Sequence, residues 1–319
     1  MDALWIMLKN VLIFVALALP GFILIKAKLL KTSESAVLSK LLTFVGMPFL
    51  ILSSTLGINF DQSFAITAII TAVSCIVLTV AVFLITLPLT AKESDEKKRG
   101  MMRFSMTFSN NGFLGIPLAM AVFGATSPVV SIVIIFNIFN NMLIYTLGIY
   151  LISGDKNTIN LKKAFLNPVL IAFVIGLIVN LVGVKNYVPE ISTFSDHLKN
   201  LVTPISMIIL GIKLADVPFK SLFTSPSGYY VSAIKLIALT VVAVAMGIAV
   251  KYLFALSNDI VYAFFIAFAM PTAGLSTTFA DQFKGDTKNS VIYTLGSTIF
   301  SIITIPILYY LLNLIIAIL

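Results

Sequence analysis

The 319-residue chain is 59% hydrophobic and only 11% charged, with a formal net charge of +8. A mean hydropathy of +1.07, with a charged fraction less than half the roughly 25% of soluble domains, excludes an ordinary soluble enzyme. The basic excess lies in short connections between apolar runs, so it reads as a membrane-orientation signal, and no nucleic-acid partner is expected.

Ten apolar runs are long enough to cross a bilayer core about 30 Å thick: 4–25, 37–57, 64–89, 101–123, 128–152, 167–184, 198–215, 229–256, 260–281 and 289–317. The first carries Asp2, no cluster of positive charge and no small-residue cleavage site, so it is read as a span and not a signal peptide. Trp5 suits an interfacial anchor. Cys75 lies inside span three and excludes an internal disulfide or thiolate cluster, and no metal or cofactor is expected. Lysines and arginines gather in connections one, three and five, while connections two and four carry none. Lys213, Lys220 and Lys235 flank connection seven, and Lys284 and Lys288 lie in connection nine. Those connections face the cytoplasm, which leaves both termini outside.

Span four holds the least helical stretch of the chain, Asn110-Asn111-Gly112-Phe113-Leu114-Gly115-Ile116-Pro117. Two amides, two glycines and a proline do not suit a straight helix, and a broken membrane helix persists only where its freed backbone faces protein or a wet cavity. The polar connection 153–166 divides the chain into 1–152 and 167–319, with five crossings each. Five is odd, so two similar halves lie in opposite orientation, the inverted-repeat plan of secondary transporters. Span nine, fourth in its half, supplies the matching break at Pro271-Thr272-Ala273-Gly274. A second half-helix starting in mid-membrane offers unpaired N–H groups and a positive dipole end, a site for a carboxylate. Pro117 and Pro271 are placed in the first turns of those half-helices, where a missing N–H costs nothing. Gly112 and Gly115 permit close backbone approach, and Asn110 and Asn111 add uncharged donors. Thr272 and Ser276 extend the lining. Asn137, Asn140 and Asn141 share one face of span five and either border the cavity or join helices. No lysine or arginine lies in the middle of span four or nine, so the anion is expected to be held without a buried cation. Lys213, Asp216 and Asp281, near span ends, are gating or coupling candidates. His197 is read as a loop residue.

The runs SNNGFLGIPLAMAVFG (109–124), LSKLLTFVGMPFLILSSTL (38–56), FNIFNNMLIYTLGIYL and MPTAGLSTTFADQFKGD resemble the auxin efflux carrier family, which includes bacterial malate and malonate permeases. The resemblance covers nearly the whole chain. It implies an all-α integral membrane protein of ten helices related to the bile-acid sodium symporters, with broken helices four and nine crossing at the substrate site. The plant members' central soluble loop and their Asn-Pro-Asn-Thr-Tyr run are absent, which argues against auxin as substrate.

The expected function is secondary transport of a small organic anion, malate, malonate or a similar carboxylate, by alternating access in the cell membrane of a bacterium. The alternative is sodium- or proton-coupled symport of a larger amphipathic anion. A homodimer is a further expectation. An enzyme is disfavoured because no nucleophile with a base and no paired acids fall inside a span, and a Gly-x-x-x-x-Gly-Lys-Ser/Thr run for nucleotide is absent.

Overall fold

A computed structural model describes residues 2–56, 62–159, 162, 165–166, 168–184, 188, 190–216 and 219–318. Among them the chain is helical, and its one pairing of extended segments is an isolated antiparallel bridge between Ser109 and Thr272. Among the described residues seven helices are long and apolar enough to cross a membrane: α1 (Asp2–Lys26), α2 (Thr32–Leu56), α3 (Gln62–Leu89), α6 (Pro128–Ser153), α8 (Glu190–Ala215), α9 (Pro226–Leu253) and α12 (Thr287–Ile318). Span four is two helices, α4 (Glu96–Thr107) and α5 (Asn111–Phe123); span nine is α10 (Asp259–Ala269) and α11 (Ser276–Gln282). Span six is the shorter α7 (Pro168–Leu181).

Several boundaries differ from the sequence reading. Span four begins five residues earlier, because Asp95 caps α4: its Oδ1 accepts from the N–H of Lys97 at 3.0 Å and of Lys98 at 3.1 Å. Across this cap, Lys98 of α4 pairs with Glu93 at 2.6 Å and holds that carboxyl below its ordinary range. Asp95→Ala is expected to cost about 1 kcal/mol, read as a lower melting temperature of the purified protein, whereas Asp95→Asn restores the native value. His197 is exposed and helical, since α8 starts at Glu190 and not at 198. The polar segment before 198 is held in place by Asp196, whose Oδ1 accepts from Ser53 Oγ and Lys199 Nζ, both at 2.6 Å. α8 then turns at Asn200–Leu201, next to Pro204.

The helices fall into two packed sets. In the first, α1 lies against α8, and α2 against α7 and α8. In the second, α3 packs on α6, α6 on α10, α9 on α10, and α12 on α9 and α11, while α12 also lies against α1 and joins the two sets. The first set depends on small residues that bring backbones together. A Cβ on Gly21 would lie 2.1 Å from the Ile208 carbonyl oxygen, and one on Gly211 would lie 1.8 Å from that of Ala18. Here α1 and α8 touch main chain to main chain. The interrupted spans sit in the second set and face the first, with α5 contacting both α1 and α8.

Candidate functional site

The two breaks meet. After Thr107 the chain leaves the helix at Phe108 (φ −103°, ψ 125°), and after Ala269 it leaves at Met270 (φ −70°, ψ 149°). The N–H of Asn110 donates to the Pro271 carbonyl at 2.8 Å, and that of Ala273 donates to the Phe108 carbonyl at 3.0 Å. These are the two bonds of the Ser109–Thr272 bridge, and they satisfy backbone groups that the two interruptions leave without a helical partner. Thr272 fastens the crossing on two further sides: its hydroxyl donates to the Ser105 carbonyl at 3.0 Å, and its N–H to Ser297 Oγ at 3.1 Å.

The sequence places one proline correctly and the other not. Pro117 lies in the first regular turn of α5, just after a wide π turn at Asn111–Gly115. Pro271 is not in the first turn of α11, which starts only at Ser276; it lies in the extended segment and offers its carbonyl to the bridge. A proline pushes the residue before it out of the helical region, and this is what ends α10 before Met270.

On one side of the bridge is a cleft of about 520 Å³, bordered by Thr43 and Met47 of α2, by Asn110, Asn111, Gly112 and Phe113, by Asn137, Asn140, Asn141 and Tyr145 of α6, and by Ala273–Leu275. Asn137 Oδ1 and the Asn137 carbonyl accept from Asn141 Nδ2 at 3.1 and 2.8 Å. Both side-chain atoms of Asn111, and Nδ2 of Asn137, are buried without a hydrogen-bond partner in the protein. Unsatisfied buried amides are costly, and their place on a cleft wall is where ligand or solvent atoms would complete them.

A second cleft of about 640 Å³ shares Asn110, Phe113, Gly274 and Leu275 with the first and is closed by Ser206, Leu210 and Lys213 of α8 and by Thr278 and Thr294. Lys213 Nζ donates to Thr277 Oγ1 at 3.1 Å and to the Gly274 carbonyl at 3.4 Å. Lys213 therefore reaches the break between α10 and α11 from the other set of helices. From the opposite side, Lys235 of α9 is fully buried, donates to Ser109 Oγ and lies 4.8 Å from the Phe268 ring centroid.

The expectation of no buried cation beside the crossing does not hold for Lys235 of α9, which is buried against Ser109, while Lys213 of α8 is half-buried. Lys235 is missed in the sequence because a span starting at 229 leaves it among the lysines that flank connection seven. The signal that could have found it is its setting, Val231-Ser232-Ala233-Ile234-Lys235-Leu236-Ile237, inside an apolar run. Of the other expected residues, Gly115 packs against Met270, and Ser276 bonds Thr294 Oγ1 and holds α11 to α12, so both shape the crossing without lining the first cleft. Asp281 is exposed at the end of α11. The side chain of Asp216 lies outside the described residues.

Among known proteins, the sequence model of a family described as membrane transport protein matches residues 6–161 and 155–309. An uncharacterized transporter of Methanothermobacter thermautotrophicus is 26% identical over 304 residues, 93% of this chain and 96% of that protein. A second uncharacterized transporter, from Methanocaldococcus jannaschii, is 28% identical over 217 residues, 66% of this chain and 70% of the other.

Proposed function

Because the chain belongs to the membrane transport protein family, the auxin efflux carriers, we propose that this multi-pass membrane protein is a secondary transporter of small carboxylates such as malate or malonate. The observation that carries the reading is the meeting of unsatisfied amides at Asn111 and Asn137 with a lysine, Lys213, across the paired breaks. A carboxylate accepts from amide N–H₂ groups and from an ammonium group, and helix starts add a favourable dipole. In this reading α4–α5 and α10–α11 are two interrupted crossings. With α7 they bring the seven long helices to ten, arranged as inverted halves 1–152 and 167–319 joined by a cytoplasmic connection, 153–166. Both termini face outward in the cell membrane. Moving Lys213 and Lys235 from loop to interior weakens the charge asymmetry of the second half and leaves that of the first untouched.

A second reading, an anion with an apolar tail, is favoured by one feature. The second cleft continues through Leu114, Met207, Leu210 and Thr298 into an apolar groove between α1, α8 and α12. Uptake of labelled malate, malonate and a medium-chain fatty acid into proteoliposomes separates the two readings. Saturable uptake of the dicarboxylates, falling at least about tenfold in Lys213→Met, a loss of about 1.4 kcal/mol or more of substrate interaction, is the expected result. Uptake of the fatty acid alone selects the second reading. Uptake of none above empty liposomes overturns both.

A further inference from the structure

We propose that the ammonium group of Lys235 is a built-in counter-cation of the crossing, standing where an ion-coupled carrier would bind a metal ion, so that this protein works without sodium. Its consequence for transport rests on the carrier reading above; its geometry does not.

Two half-helices end at the crossing, α4 at Thr107 and α10 at Ala269. Each brings the negative end of its peptide dipole into a region without bulk water. In carriers built from interrupted helices, such carbonyl-bearing ends are where a coupling cation is held. In this chain a lysine meets both ends at once. Lys235 Nζ donates to Ser109, two residues beyond the end of α4, and faces the ring of Phe268 in the last turn of α10. The side chain is fully buried. Among the described residues its ammonium forms no ion pair; the three pairs present, Lys98–Glu93, Arg99–Glu96 and Lys199–Asp196, lie elsewhere. A buried cation without a carboxylate is costly unless hydroxyls or ring faces replace its water, and the Ser109 hydroxyl and the Phe268 ring are in contact with this one.

The backbone supports the placement. Lys235 lies in a π turn, Ile234–Ala238, that packs against α4, α10 and α12. Such one-turn widenings collect at functional positions and re-aim a side chain. A second cation at this place would meet the lysine at close range.

Melting temperature tests this without a transport assay. Purified protein is melted in sodium chloride and in choline chloride at equal ionic strength. The native protein is expected to melt at the same temperature in both. Lys235→Ala is expected to melt several degrees lower in choline and to regain part of that loss in ethylammonium chloride, which fits the vacated space and binds the folded state. Sodium raising the native melting temperature by several degrees, or Lys235→Met melting like the native protein, overturns the proposal. The sodium arm uses the native protein, so it decides even if Lys235→Ala does not fold. Since melting and not flux is read, a failed carboxylate assay leaves the two readings separable.

Discussion

Asn111→Leu is expected to melt no lower than the native protein, and up to several degrees higher, while carboxylate uptake falls below about a tenth of native. The two effects have one cause. Asn111 is 1% exposed, and neither its Oδ1 nor its Nδ2 has a partner within the protein. Leaving a buried polar group unsatisfied costs about 1–3 kcal/mol, and an apolar group of similar shape removes that cost. A side chain kept at such a cost on a cleft wall is explained if a ligand completes it, the usual form of a trade between stability and activity. The decisive comparison is melting and flux on the same preparation. Lower melting with unchanged uptake would show that Asn111 holds the fold and does not touch substrate.

Gly211→Val is expected to lower the melting temperature by on the order of 10 °C, the largest stability effect of any single change considered. The added Cβ would lie 1.8 Å from the Ala18 carbonyl oxygen and 2.9 Å from the Phe22 nitrogen, both main-chain atoms that cannot swing aside. The valine therefore has to separate α1 from α8 along their whole contact. Overpacking of this kind costs about 1–3 kcal/mol and more where backbone must move, and a chain of this size shifts by roughly 2–4 °C per kcal/mol. Gly296→Ala is the control. Its Cβ would meet only Ser232 Oγ, at 3.8 Å, and the helical propensity of alanine favours it by up to about 1 kcal/mol. If both variants melt alike, close backbone packing of α1 on α8 is not what holds the first set together.

The helical membrane character and both breaks were legible in the sequence because their signals are local. An amide pair, two glycines and a proline within eight residues stop a helix whatever surrounds them, and apolar runs of the right length need no partner to be recognised. Lys235 was not legible as a site residue. A span starting at 229 would put it about 9 Å from the helix start, within reach of snorkelling, whereas the helix starts at Pro226 and puts it about 14 Å in at 1.5 Å per residue. Three residues of boundary error thus turned a buried cation into an apparent loop lysine. The role of Pro271 was hidden for another reason: a proline both opens helices and forces extension on the residue before it, and sequence alone does not choose between the two. Lys213 was recognised as a candidate, but its partners, Gly274 and Thr277, lie more than sixty residues away and become neighbours only through tertiary packing.

The Ser109–Thr272 bridge also limits which changes the gene can accept. Side chains of paired extended segments alternate between faces, so inserting or deleting one residue at either break shifts the register of the Ser109–Thr272 pair. A single deletion near Ser109 would take Asn110 off the cleft wall. A single insertion near Pro271 would pull Thr272 away from Ser105 and Ser297. Such a lesion in one break is matched only by a change in the other, so the two segments, 163 residues apart in the reading frame, tolerate length changes as a pair or not at all.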